Sequence, residues 1–516
     1  MKAIWAVLRS RLLAKKFFQD WPAGDGRGKC RTVSVQPLRR NSAVARVQAI
    51  STVHLLTRLP VMPDLSRLLP LPRAELAAAL VEQFPEAVHS SDHSGAVAAA
   101  TSLWARGGRV AALEQLASID PEAYGRTRNH VSGAVTRLSP WLRHGALSLA
   151  EVRDTALSRA RRPEDAAKLI SELGWRDYWQ QVYAAVGNRI REPIEVPAQT
   201  PRSAVLREQV PPDVLAAQTG MHCIDAFVEK LHRTGWLHNH ERMWLASWLV
   251  HVRGVRWQAG ADWFLSHLID GDPASNHLSW QWVAGTFSAK PYLFNRENLE
   301  TFTSGVHCQP CGLRGFCSVE GSYEELAARL FEATPSIPRE PLRIRPRLEA
   351  TVTHDATEQP AALRNPLVWL TLDSVAATSP AVTAHPEAPR VFLIDPEWIA
   401  TERPTLNRLL FLFECLAEIP RVEVLLGDPR RSIQERARAH GCDCLVVADT
   451  PCPRIRRTAA ALQSVAAGPA DDGASLPVVM VPWPCFCDRS KVRDLGRFSR
   501  YWQQVGQTAM QPTRAE

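Results

Sequence analysis

Residues 234–282 constrain the chain most. They read TGWLHNHERMWLASWLVHVRGVRWQAGADWFLSHLIDGDPASNHLSWQW, and their apolar residues recur at helical spacing, which predicts at least two helices broken near Gly254 and Gly271. Asp270-Gly271-Asp272 sets two acids beside a flexible joint, four residues before Asn276 and inside an apolar segment. Buried acids need donors. Arg242 and the amide of Asn239 on the preceding helix are the candidates, acting on the acids directly or through a polar, ring-shaped ligand between them. Trp236, Trp244, Trp248, Trp257, Trp263, Trp280 and Trp282 crowd the same segment, in a chain with 17 Trp and only 6 Tyr. Singly, each reads as core packing; together they read as stacking surfaces or a redox chain.

The segment resembles the cryptochrome/photolyase family. GWLHNHERM is similar to that family's GWMHN-x-x-RM helix, DGDPASN to its DGD-L-A-x-N flavin loop, and WQW and KPY follow in order. The resemblance implies a U-shaped FAD. Asp270, Gly271 and Asp272 would hold its adenine side or flavin ring, Asn276 would face flavin N5, and Trp236, Asn239 and Arg242 would stand near it.

Further motifs extend the resemblance upstream. Residues 107–113 and 124–129 are similar to the start of the family's helical domain, which adds Tyr124. VTRLSPWLRHGALS, residues 135–148, carries two hydroxyls, Thr136 and Ser139, that could cap a helix. It resembles the TSRLSPYLHFG motif, which implies that Thr136, Arg137, Leu138 and Ser139 cradle the FAD diphosphate, with Val135 in place of one hydroxyl. SELGWRDYW, residues 171–179, resembles the helix that lines the lesion pocket of DNA-repairing members. That implies Glu172 as hydrogen-bond partner of a flipped-out pyrimidine dimer, Trp175 and Trp282 as its stacking walls, and Met243 in the same pocket. Extracting a base costs a few kcal/mol, and an aromatic face returns about 1–3 kcal/mol per base. Trp280 and Trp257 match the first two members of the family's electron chain. The third, expected near Leu206, is missing.

Cys308, Cys311 and Cys317 form C-x2-C-x5-C, close enough in sequence for three thiolates to share one metal or cluster. Zinc, with His307 as a possible ligand, and iron–sulfur are both open on spacing. Iron–sulfur bacterial members of the family carry one further Cys upstream, and Cys223 stands there, so the resemblance implies a [4Fe–4S] cluster on Cys223, Cys308, Cys311 and Cys317.

Beyond a Pro-rich linker, the runs PLVWLTLD, RVFLIDP, RVEVLLGD, CDCLVVADT and LPVVMVPWP alternate with helical stretches such as 406–417 and 433–440. Short apolar runs of this kind predict a doubly wound parallel sheet. No GxGxxG fingerprint accompanies it. The order of runs resembles the family's antenna domain, placed here after the FAD domain as in a circular permutation. Its usual FRRDLR is replaced by LTLDSVA, so an antenna chromophore is left open.

The expected organisation is a multidomain α and α/β chain: a basic, unstructured extension over 1–62, an all-helical FAD-binding photolyase-type domain over 63–334, a linker over 335–365, the α/β domain over 366–490 and a C-terminal helix or tail over 491–516. A 516-residue chain is long enough for two cores. Its net charge of +8 suits a polyanionic partner. Eleven Cys without a short disulfide framework fit a reducing cytosol. No apolar run reaches the roughly 18–20 residues that span a bilayer, and the basic opening lacks a cleavage site. The expected function is light-driven repair of cyclobutane pyrimidine dimers in damaged DNA. The alternatives are a blue-light receptor without repair and a flavoprotein interaction module.

Overall fold

The computed structural model describes residues 62–88, 93–197, 199–202, 206–332, 342–347, 364–464 and 475–513. The basic extension lies outside these residues but for Met62, and so does most of the linker. The helices that shape the site are α1 (Pro121–Thr127), α2 (Ser139–Arg143), α3 (Pro163–Val186), α4 (His222–Thr234), α5 (Asn239–Ser247), α6 (Trp257–His267) and α7 (Pro273–Ala284). Then come β1 (Pro366–Leu370), β2 (Arg390–Ile394), α8 (Pro396–Glu402), α9 (Leu406–Ala417), β3 (Val422–Leu426), α10 (Pro429–Ala439), β4 (Cys444–Ala448), α11 (Pro453–Gln463), β5 (Val478–Val481) and α12 (Phe498–Ala509).

Four of these helices begin with Asp-Pro. Proline at the first helical position lacks the N–H that would go unpaired there, and the preceding carboxylate accepts from an N–H one turn in. Asp120 accepts from Ala123 N, Asp272 from Ala274 N and Ser275 N, Asp395 from Glu397 N and Asp428 from Arg431 N. The breaks expected near Gly254 and Gly271 are present. Helix α5 loosens into a π-turn over Trp248–Val252 that ends at Gly254, whose φ of 61° favours glycine, and Gly271 separates α6 from α7.

The five predicted strand runs form one parallel sheet in the order β3-β2-β1-β4-β5. Strand β1 pairs with β2 and β4 at once, through Val368↔Arg390 and Val368↔Val446, so the sheet's topological switch point lies between the carboxyl ends of β1 and β4. Alternation along β1 sends Leu367 and Trp369 to one apolar cluster and Val368 and Leu370 to another. Residues 63–65 cover the free edge of β3, where Leu65 N donates to Val424 O at 2.7 Å.

The helical and α/β parts share a core. One cluster joins Trp141, Leu173 and Tyr178 of the helices to Leu370, Phe411, Leu416 and Tyr501, and Val61–Glu516 groups as a single compact unit. A second cluster, around Trp244, Phe264 and Trp280, belongs to the helices alone. No helix among the described residues is long and apolar enough to cross a membrane.

The seam between the parts is close at Gly107. Its N–H donates to Glu414 Oε2 at 2.8 Å, and a Cβ there would lie 2.2 Å from Phe411 O, a backbone atom that cannot swing aside. Gly107→Ala is therefore expected to destabilise the chain by about 1–3 kcal/mol, as overpacking does, and a lowered urea midpoint at unchanged slope would show it.

Candidate functional site

Helices α1, α2, α3, α5, α6 and α7 enclose a cavity of about 350 Å3. Its lining brings together residues far apart in sequence: Tyr124, Thr136, Arg137, Leu138, Ser139, Glu172, Trp175, Trp236, Asn239, Arg242, Met243, Asp270, Asp272, Asn276 and Trp280.

The two acids are treated differently. Asp272 caps α7 and is fully supplied: Gln180 Nε2 donates at 2.7 Å, Ser275 Oγ at 2.6 Å and Ser275 N at 3.1 Å, with Arg176 3.5 Å away. Burial works to raise its pKa, but Arg176, Arg143 and the Ser275 bonds outweigh burial and hold the carboxyl below the usual range. Asp270 receives Arg242 Nη2 at 2.8 Å on one oxygen. Its other oxygen, Oδ1, is buried without a hydrogen-bond partner. An unpaired buried acceptor is costly, so the cavity presents a site for a ligand N–H or O–H. Gly271 is behind the lining, its carbonyl accepting from Arg143 Nε at 2.7 Å.

Arg137 adopts φ 52°, a conformation in which a non-glycine residue is strained. The kink lets residues 136–139 all line the cavity, and the Arg137 guanidinium lies 5.1 Å from the Trp236 ring. Neither Thr136 nor Ser139 caps α2, whose N-cap is Leu138 without a side-chain bond. Asn239 does not reach the acids; its amide donates to Met243 Sδ at 3.3 Å. Asn276 is held by donating Nδ2 to Ala261 O at 2.8 Å.

Glu172 lines the cavity as part of an ion-pair cluster, 2.6 Å from Lys168 Nζ and 3.6 Å from Arg128 Nε. Trp175 has Trp179, one helical turn on, at 5.1 Å, and Phe498 of α12 stacked against it at 3.9 Å and 15°. Trp282 is outside the lining and half-buried, tilted over Tyr292 at 5.5 Å. Residues two apart on a helix do not share a face, so with Trp280 facing the cavity, α7 turns Trp282 away. Trp257 is also outside the lining. Trp280 packs on Gly260, one turn along α6 from Trp257, and a Cβ at 260 would lie 2.3 Å from its ring. Arg207 pairs with Val255, which leaves Leu206 at the surface where the third member of the electron chain was expected.

Sequence reading missed Trp179, Arg176, Ser275 and His238 in this cavity. The i, i+4 spacing of Trp175 and Trp179, and of Glu172 and Arg176, was the available signal.

Cys223, Cys308, Cys311 and Cys317 line a second, small cavity of about 20 Å3 together with His307, Arg296 and Arg314. Burial and the neighbouring sulfurs push the Cys223 thiol up to about 12; burial, followed by Glu300 and Cys317, pushes Cys308 to about 11. A positive centre is what would hold such sulfurs as thiolates. Among the described residues, no three His, Cys, Asp or Glu side chains are arranged to hold a single metal ion.

A family described as the FAD binding domain of DNA photolyase matches residues 169–306, which carry most of α3 and all of α4 to α7. The deoxyribodipyrimidine photo-lyase of Streptomyces griseus is 38% identical over 157 residues, 30% of this chain and 32% of its own length. Cryptochrome DASH of Synechocystis is 32% identical over 241 residues, 43% of this chain and 46% of its own. The matches thus span a third to just under a half of these relatives. A solved class III photolyase from Agrobacterium tumefaciens shares 29% identity over 38% of this chain and 43% of its own, with a TM-score of 0.34, too low to compare the arrangement of elements. Residues 169–306 are thus similar to the FAD-binding domain of the photolyase/cryptochrome family.

His238 links the site to pH. It is buried, its Nδ1 accepts from His240 N at 3.1 Å to cap α5, and its Nε2 lies 2.9 Å from Arg128 O as donor, a pattern that needs the neutral ring. Burial, helped by His240, Lys230 and Arg242, lowers its pKa from 6.5 to about 4. Between these values the unfolded chain binds the proton and the folded one does not. The contribution is therefore complete above about pH 6.5 and lost as pH falls toward 4. His238→Asn keeps a capping group but cannot titrate. It is expected to remove on the order of 1–2 kcal/mol of the stability difference between pH 7 and pH 5, measured by urea unfolding at both pH values.

Proposed function

We propose that this protein repairs cyclobutane pyrimidine dimers in DNA by light-driven electron transfer from reduced FAD. The observation that carries the reading is the unpartnered Asp270 Oδ1, set beside Arg242 and Asp272 in a cavity that also contains Trp175 and Glu172. These residues fit FAD. Asp270 would accept a ligand donor, Asn276 and Arg242 would orient the ring, and Thr136, Ser139 and Arg137 would hold the diphosphate. When bound and reduced, FAD supplies the electron that opens the cyclobutane ring and takes it back, so no protein acid or base is needed.

The chain's own residues bind and position. Trp175 and Trp179 offer a rigid aromatic corner for a flipped base pair, and Glu172, paired with Lys168 and Arg128, offers an acceptor for a base N–H. Trp280, against the helix that begins at Trp257, is the proposed entry to an electron relay. Trp282 is proposed to brace Tyr292. Cys223, Cys308, Cys311 and Cys317 are proposed to hold a [4Fe–4S] cluster; four cysteines around one small cavity, two of them buried and two half-buried, with Arg296 and Arg314 beside them support it.

A second reading, a blue-light receptor without repair, is favoured by two features. The back of Trp175 is closed by Phe498, and Glu172 is already engaged by two cations.

Reduced protein under blue light is expected to restore dimer-containing DNA. Trp175→Ala should weaken lesion binding by about 1–3 kcal/mol, and Asp272→Ala should release FAD. Added salt should weaken DNA affinity. Flavin-replete, fully reduced protein that neither binds nor repairs such DNA in light would leave the receptor reading standing. Anaerobically purified protein should contain about four irons per chain, with Cys311→Ser losing them; stoichiometric zinc instead would refute the cluster.

A further inference from the structure

The switch point of a doubly wound sheet is the usual place for a ligand. Here the ends of β1 and β4 leave a space of only about 30 Å3 between them and the helices, room for about one water. The space is filled from the helical side by Arg143, at the end of α2. Its guanidinium pairs with Asp373, three residues beyond β1, and the other oxygen of Asp373 accepts from the Thr450 hydroxyl, two residues beyond β4. The same arginine turns Nε to Gly271 O at 2.7 Å.

A second arginine reaches that carbonyl from the α/β part. Arg408 of α9 donates Nη1 to Leu265 O, and Nη2 lies 3.1 Å from Glu402 and 3.4 Å from Gly271 O. The two arginine side chains are only 4% and 5% exposed. A carbonyl oxygen has two lone pairs, and here each is offered a cationic donor from a different part of the chain. Gly271 leaves room for this, since a Cβ there would lie 2.8 Å from Leu268 O and 3.3 Å from Arg408 Cζ. Backbone bonds fasten the same seam: Val375 N donates to His144 O at 2.7 Å and Thr405 N to Ser266 O at 3.0 Å.

We propose that the α/β part is a buttress for the Asp270–Asp272 loop, with Arg143 and Arg408 as positioning residues that couple FAD affinity to the closed switch point of the sheet. The proposal rests on the flavin reading of the cavity. Asp270 and Asp272 stand on either side of the clasped carbonyl, so the direction in which the Asp270 carboxylate faces the cavity is set by contacts made to β1, β4 and α9. Coupling of this kind is reciprocal: Asp373 outside the cavity affects FAD affinity, and bound FAD protects the ends of β1 and β4.

FAD titration by flavin fluorescence, with urea unfolding of the apoprotein, tests this on wild type, Asp373→Asn, Arg143→Lys and, as a control for loosening the seam elsewhere, Gly107→Ala. Asp373→Asn and Arg143→Lys are expected to raise the Kd for FAD about tenfold, equivalent to about 1.4 kcal/mol, well beyond the change in Gly107→Ala. Affinities equal to wild type, or reduced no more than in the control, would overturn the buttress. Should those variants not fold, hydrogen exchange on wild type decides: FAD must slow exchange at residues 371–375 and 450–452, and unchanged exchange there rejects the coupling. Wild type that binds no FAD refutes the flavin reading itself, a result distinct from unaltered affinity in the variants.

Discussion

The structure turns on a loop that must bury two carboxylates, Asp270 and Asp272, two positions apart in an otherwise apolar interior. A carboxylate taken from water needs donors with it, and no single element of this chain supplies enough. Asp272 takes its own helix N-terminus, Ser275, Gln180 of α3 and the nearby Arg176; Asp270 takes Arg242 of α5; the carbonyl between them takes Arg143 and Arg408. Helices α2, α3, α5 and α7 are thus tied to one short loop, and the α/β part is tied to its back. One acceptor, Asp270 Oδ1, remains without a partner on a residue that lines the site.

This arrangement gives the α/β part a role its topology alone would not have indicated. A parallel sheet with a switch point ordinarily invites a ligand there, yet Arg143 fills that crevice and converts it into a dock for the helices. The shared core from Trp141 and Tyr178 to Phe411 and Tyr501 makes the attachment extensive. Helix α12 repeats the pattern on the other side of the cavity, where Trp502 packs on Gly174 and Phe498 on Trp175, so the aromatic corner offered to a base is backed by residues more than three hundred positions away.

Much of this was legible because it is local. Short apolar runs mark the strands, and the spacing of Asp270, Asp272 and Asn276 places them around the start of one helix, so part of the cavity's lining could be named in advance. Trp282 shows where local reading stops. The family resemblance implied that it walls the lesion pocket opposite Trp175, but two positions on a helix diverge, and packing of α7 against Gly260 gave the cavity to Trp280. Thr136 and Ser139 read as helix caps on chemistry, whereas the left-handed turn at Arg137 directs them to the cavity instead. Arg143 was quoted within a motif without being singled out, because its partners, Gly271 and Asp373, lie 128 and 230 residues away.

The sequence by itself determined the helices, the parallel strands and the residues with the chemistry to hold a polar, ring-shaped ligand, since periodicity and donor or acceptor type are properties of neighbours along the chain. Tertiary structure decided which of those residues share a cavity, which acid keeps an unpaired oxygen, and that the sheet's crevice is closed by an arginine from the helices. These follow from long-range packing and from the cost of leaving a buried charge unpaired, and neither is encoded within the reach of a single element.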